Sequence, residues 1–413
     1  MKFSDFSFTT PIATAIRQCG FTEPTPIQQE AIPPLLARRD LLGLAQTGTG
    51  KTAAFILPTV QHLLRTPGRG TVRALIIAPT RELAEQINEF TRQIIRHTRL
   101  RSIAVYGGVG KQGQINRISA GVDIVVACPG RLLDILNDGA IDLKSVDTLI
   151  LDEADHMFDK GFLPDIRRIL RALPATRQNL VFSATMPGEI RHLAEDILNR
   201  PETVQINASR PVSSVSHCLY TVEQGHKAGL LMHLLTSEAM DATLVFTRTK
   251  HRAKSLARKL AQSGFKATSL QGNLSQSKRQ QALDGFKRGE YKVLVATDIA
   301  ARGIDVRAIS HVVNFDLPDT AEAYIHRTGR TGRASCTGDA LSFGTREDNR
   351  LIRLIEQSLD GRMSRRNTPV NSRLHAETHG FSGSDERPGR GARAGRSSRP
   401  RSNKPGKRQV FGL

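Results

Sequence analysis

The chain has 413 residues, 39% of them hydrophobic, with no Trp and four Tyr. Lys and Arg number 59 against 39 Asp and Glu, a formal charge of +20, which points to an anionic partner, nucleic acid first. No apolar run approaches the ~18 residues that span a bilayer. The four cysteines (Cys19, Cys128, Cys218, Cys336) contain no C-x-x-C pair, which argues against a disulfide scaffold and a structural zinc site. The start, MKFSDFSFTT, lacks the apolar stretch of a secretory signal, so a cytoplasmic protein with no membrane association is expected.

In chain order, Leu41–Leu44 reads as a short strand and Thr52–Leu64 as a helical run. Thr71–Ala78, Ser102–Tyr106, Asp123–Ala127, Thr148–Leu151 and Asn179–Phe182 read as further strands, separated by helix-like stretches such as Arg81–Ile95. Several are short, continuous and β-branched, as in a parallel sheet covered on both faces. The alternation restarts after Ile206, with strand candidates at Ser216–Val222, Thr243–Phe246, Lys292–Ala296, His311–Asn314 and Asp339–Phe343. The reading is an α/β chain with two parallel-sheet domains in tandem, residues 1–206 and 216–360. A polar linker joins them at 207–215 (NASRPVSSV). From Gly361 to Leu413, 13 Lys and Arg face 3 Asp and Glu among Gly, Ser and Pro. Residues 361–413 have too little apolar surface to offset the entropy of ordering, and a disordered basic tail is expected.

After the first strand comes Ala45-Gln46-Thr47-Gly48-Thr49-Gly50-Lys51-Thr52, a phosphate-loop pattern with Ala45 at the usual first glycine. Gly48 and Gly50 let backbone N–H groups turn inward around phosphate oxygens, and the helix N-terminus adds partial positive charge. Lys51 can reach the β- and γ-phosphates of a nucleotide, and the Thr52 hydroxyl can bind Mg²⁺. Asp152-Glu153-Ala154-Asp155 directly follows another strand. Alone it could be an acidic helix start stabilised by the helix dipole. Coupled to the phosphate loop, Asp152 becomes a Mg²⁺ carboxylate, Glu153 the base for the attacking water and Asp155 a connector. Near the end of the second series lies His326-Arg327-Thr328-Gly329-Arg330-Thr331-Gly332-Arg333. Its arginines suit either a phosphoryl group, as arginine fingers, or a nucleic-acid backbone.

These segments, with others in the same order, resemble the DEAD-box ATP-dependent RNA helicases over roughly residues 1–345. Phe21–Gln28 (FTEPTPIQ), with Phe3 upstream, resembles the Q motif. Pro79–Ala84, Gly107-Gly108, Pro129–Arg131 and Ser183–Thr185 resemble motifs Ia, GG, Ib and III. Val245–Arg248, Gln271-Gly272, Ala296–Asp298 with Ala301–Asp305, and His326–Arg333 resemble the motifs of the second half. One departure is Cys128, where the family usually has Thr before Pro129.

The resemblance implies two RecA-like domains with ATP and Mg²⁺ in the cleft between them. Gln28 would read adenine, with Phe3, Phe21 and Thr25 beside it. Lys51, Glu153, His326, Arg330 and Arg333 would serve catalysis, and Asp305 the ribose. RNA contacts would fall to Thr80, Arg81, Gly108, Arg131, Gln271, Gly272 and Thr297. Ser183 and Thr185 would couple Asp155 to His326. The implied activity is RNA-stimulated ATP hydrolysis that separates short duplexes or remodels RNA–protein complexes, in ribosome assembly or RNA turnover. An ATP-dependent RNA clamp or annealing factor shares every motif. A monomer is expected, bound to RNA without sequence preference, with ribosomal or RNA-decay proteins as partners and the tail as an RNA tether.

Overall fold

The computed structural model describes residues 1–45, 48–66, 68, 70–206, 215–237, 240–301, 309–332 and 337–368. The linker at 207–214 and the tail from 369 onward lie outside them. The first half builds seven strands: β1 Leu41–Leu44, β2 Ala74–Ile77, β3 Ser102–Val105, β4 Ile124–Ala127, β5 Thr148–Leu151, β6 Gln178–Ser183 and β7 Glu202–Gln205. All pairings are parallel, in the order β3-β4-β2-β5-β6-β1-β7. Three inner strands, β2, β4 and β5, read ALII, IVVA and TLIL and are buried at every position. Helices cover both faces, so both side-chain rows of these central strands are apolar.

The second half repeats the plan with β8 Val215–Thr221, β9 Thr243–Phe246, β10 Ala267–Leu270, β11 Val293–Ala296, β12 His311–Asn314, β13 Gly338–Gly344 and β14 Met363–Arg366. Its order, β10-β11-β9-β12-β13-β8-β14, is the first order displaced by seven strands. Two RecA-like parallel sheets in tandem are therefore present. Among the described residues, no helix is long and apolar enough to cross a membrane.

This duplication corrects the expected tail boundary. Composition predicts a disordered tail from residue 361, yet Met363–Arg366 pairs in parallel with β8, as β7 pairs with β1. The strand reads MSRR and buries only Met363. An edge strand with one buried side chain has no apolar run, so its signal is lost in a basic composition. β7 (ETVQ) and β10 (ATSL) escape sequence reading for the same reason.

Sheet order also sorts the segments that follow each strand. In parallel α/β sheets, ligands bind outside the carboxyl ends of the strands. Neighbours β5, β6 and β1 lead into Asp152–Asp155, Ser183–Thr185 and Ala45–Lys51. Neighbours β3, β4 and β2 lead into Gly107-Gly108, Cys128–Arg131 and Pro79–Arg81. Ending the chain at residue 360 is expected to lower the melting temperature, by about 2–4 °C for each kcal/mol lost with β14. Ending it at 368 is not. Equal thermal melts for the two truncations would contradict the pairing of β14.

Candidate nucleotide and nucleic-acid sites

The phosphate loop sits between β1 and the helix Lys51–Arg65. Gly48 and Gly50 have φ of 88° and 95°, which side chains disfavour. A Cβ on Gly50 would lie 2.5 Å from Gln28 Nε2 and 2.9 Å from Thr25 Oγ1, so the position is closed to side chains twice over. The buried Lys51 ammonium donates to the Ala45 carbonyl at 2.7 Å, spanning the loop's mouth. Gln46 and Thr47 lie outside the described residues.

Gln28 is buried against this loop. Its Oε1 accepts from Thr25 N–H at 3.0 Å and its Nε2 donates to Gly50 O at 3.1 Å. An amide has two donors and two acceptor lone pairs, so one of each remains. Phe21 is half-buried, stacked on the buried Phe3 with ring centroids 5.9 Å apart and 6.0 Å from Phe90. Both rings therefore pack against the first domain's core.

At the end of β5, three carboxylates are buried within four residues. Burial raises the Asp152 pKa to about 6, against the nearby Lys51 charge, with Glu153 adding repulsion. Burial would raise Glu153 as well. The His156 hydrogen bond (Nδ1 to Oε2, 3.3 Å), then the charges of Arg330 and Lys51, outweigh it and hold Glu153 at about 2. Glu153 has φ 53°, a left-handed conformation that costs a non-glycine residue about 1–3 kcal/mol. Neighbouring carboxylates thus have pKa values pushed apart, one toward sharing a proton and one toward permanent charge.

Asp155 is a connector. Its Oδ2 accepts from Ala184 N–H (3.2 Å), Thr185 N–H (2.9 Å) and the Thr185 hydroxyl (3.0 Å). Its own N–H donates to Ser183 Oγ at 3.2 Å, and that hydroxyl donates to Thr185 O at 2.7 Å. From the other half, Arg330 is buried, and its charge is among those that lower Glu153. His326 and Arg330 line one small cavity with Phe246, Asp298 and Arg327. Arg333 and Asp305 lie outside the described residues.

The second cluster lines a cleft of about 610 Å³ that includes Thr80, Arg81, Gly130 and Arg131 from the first half and Gly272 and Gln276 from the second. Thr80 caps the helix Arg81–Ile94, its hydroxyl accepting from Leu83 N–H at 3.1 Å. Arg131 donates twice to Val109 O, at 3.2 Å each. Gly108 has φ 83°, and a Cβ there would overlap Arg81 Nη1. The glycine pair is the floor on which that guanidinium rests. Gln271 is buried, its Oε1 accepting from Asn273 N–H at 2.7 Å. Thr297 starts the short helix Asp298–Ala301, its carbonyl accepting from Ala300 and Ala301 N–H. Cys128 opens the helix Pro129–Asn137 with no side-chain cap, and burial pushes its thiol up to about 12, so it is no nucleophile.

Several residues were missed in the sequence. Arg279 Nε and Nη2 both reach Glu82 Oε1, at 2.9 and 2.7 Å, and Arg81 Nη1 reaches Gln276 Oε1 at 3.3 Å. These bonds join the two halves beside the cleft, across some two hundred residues that no spacing rule connects. Arg327 forks onto Asp298 at 2.5 and 2.6 Å, bonds Asn314 and the Asp316 carbonyl, and lies over Phe246. It holds the second domain's loops with four of its five N–H donors, which ties it to them rather than to a ligand.

A phosphate loop, a split pair of buried carboxylates and an arginine from a second RecA-like sheet define a two-domain nucleotide hydrolase. The DEAD/DEAH box helicase family matches residues 25–193, and the helicase conserved C-terminal domain matches residues 226–335. The chain is 43% identical to the DEAD-box ATP-dependent RNA helicase CshA of Bacillus licheniformis, over 90% of this chain and 76% of that one. It is similar in structure to S. cerevisiae Dbp5 bound to RNA and ADP BeF3, with TM-score 0.81 and 30% identity, over 89% of this chain and 96% of that one. A DEAD box protein from Methanococcus jannaschii gives TM-score 0.53 at 35% identity, over 89% and 99%. The chain belongs to the DEAD-box RNA helicase family.

Gly108→Ala is expected to destabilise the protein by about 1–3 kcal/mol through strain at positive φ and displacement of Arg81. In the background of Arg81→Ala the penalty should shrink to the backbone part alone. Additive melting shifts in this double-mutant cycle would contradict the packing of Arg81 on Gly108.

Proposed function

We propose that this protein is an RNA-stimulated ATPase that separates short RNA duplexes as its two domains close. The observation that carries the reading is the convergence of Lys51, Glu153 and Arg330, from both halves, on one buried anionic site. ATP would lie with its phosphates on Gly48–Thr52, and the remaining donor and acceptor of Gln28 match adenine N7 and N6. Glu153, kept ionised, is placed to take the proton of the attacking water. Arg330 spreads the charge that develops on the transferred phosphoryl group.

The residues present fit Mg²⁺. Asp152 is a buried carboxylate that stands to gain a cation, and the Thr52 hydroxyl supplies a second hard oxygen at the helix start. Bound there, the ion neutralises phosphate charge. Asp152 holds that position, and Asp155 keeps the whole loop fixed to Ser183–Thr185.

RNA would occupy the cleft of Thr80, Arg81, Arg131 and Gly272, with Gly108 under Arg81 and with Gln271 and Thr297 at the neighbouring strand ends. Short side chains and helix N-termini suit phosphates and 2′-hydroxyls, which carry no base sequence. Because the cleft draws on both halves, RNA and ATP each favour closure, and each should tighten the other's binding. The closer likeness to the chain bound to RNA and ADP BeF3, despite its lower identity, supports a closed arrangement here. A bent strand cannot keep its duplex partner, which leaves; hydrolysis then releases the domains. The proposed setting is ribosome assembly or RNA turnover in the cytoplasm.

Glu153→Gln is expected to retain ATP and RNA binding while turnover falls at least about 100-fold, the scale of a lost general base. Near-normal steady-state turnover would remove Glu153 from that role.

A further inference from the structure

The helix Lys250–Gln262 carries five Lys and Arg and no Asp or Glu. Ala253, Leu256, Ala257 and Leu260 bury its inner face in the second domain's core. Lys250, Lys254 and Arg258 are exposed at i, i+4 and i+8, which places them in one row along the helix, with exposed Lys259 beside it. Like charges at that spacing repel, and cations in the first turn oppose the helix dipole. The fold offers no compensation: among the described residues, no carboxylate pairs with any of these four. The partly buried Arg252 of the same helix is different. It binds Asp316 at 3.0 Å and lies over the Phe315 ring. A row that costs stability and has no internal partner points to an external polyanion.

Position identifies which one. Phe246 pairs with Ala296 and Ala296 with Leu270, so β9, β11 and β10 end level. Thr297 and Gln271 follow from that edge, and so does the turn through Thr249 that starts this helix. The row thus begins beside the second domain's part of the proposed RNA cleft and runs away from it, rising about 6 Å per four residues. We propose that Lys250, Lys254, Arg258 and Lys259 form a track for the phosphates of single-stranded RNA leaving the cleft. The proposal rests on the cleft being the RNA site. The track carries no aromatic side chain, so it reads charge and not bases.

The test uses the full chain and the variant Lys254→Ala/Arg258→Ala/Lys259→Ala, which keeps good helix formers on an exposed face. Two probes separate the readings: a uridylate oligomer of about 8 nucleotides, within the usual size of a single-strand site, and a much longer one. The unaltered protein should bind the longer oligomer more tightly. The variant should lose about tenfold in affinity for it at low salt, and its log K against log salt slope should shrink by about 2, at about 0.7 per phosphate. Binding of the short oligomer, and the ATP turnover it stimulates, should be unchanged. Unchanged affinity and slope for the long oligomer would overturn the track. So would loss of binding to polyglutamate alone, which would make the row a protein-docking face. Failure of the short oligomer to stimulate the unaltered protein would instead refute the cleft itself.

Discussion

Glu153 is a carboxylate with 7% of its surface exposed, held ionised by His156, Arg330 and Lys51 against a burial that would protonate it. Of those three, Arg330 comes from the other half of the chain. The positive charge that offsets the burial of Glu153 is therefore drawn from both halves of the chain. A neighbouring carboxylate, Asp152, lacks that set of partners and rises to about 6, which suits it to a cation instead.

The sheet order turns this local electrostatics into a machine with two ends. Strands β5, β6 and β1 present the phosphate loop and the carboxylates, while β3, β4 and β2 present the cleft. The two residue clusters thus follow different strands of one sheet. Asp155 clamps the carboxylate loop to Ser183–Thr185 with three bonds to one oxygen, so the nucleotide end moves as a unit. At the other end, Arg279 on Glu82 and Gln276 on Arg81 join the halves beside the proposed RNA path. If the proposed ligands bind at both ends, each should favour the other's binding by holding the two halves together.

Much of this was readable in the residues. Strands covered on both faces announce themselves as continuous apolar runs, and β9 and β12 fall where expected, at Thr243–Phe246 and His311–Asn314. Gly48, Gly50 and Lys51 define their loop by composition and spacing alone. Edge strands did not show, because MSRR and ETVQ bury one side chain each, and the basic setting hid β14 inside an expected tail. Glu82–Arg279 could not be read, since a salt bridge between distant segments leaves no periodic trace. The His326–Arg333 run carried two chemistries in one string. Only the contacts show Arg327 committed to Asp298 and Asn314, and Arg330 as an arginine whose charge reaches Glu153; Arg333 lies outside the described residues.

The most direct test of the account is steady-state ATP turnover by the purified protein, alone, with single-stranded RNA, and with DNA of the same sequence. If RNA and ATP close the same two domains, RNA should raise turnover strongly and DNA should not. Turnover indifferent to RNA would contradict the coupling of the cleft to Glu153, and equal stimulation by DNA would contradict recognition of the 2′-hydroxyl.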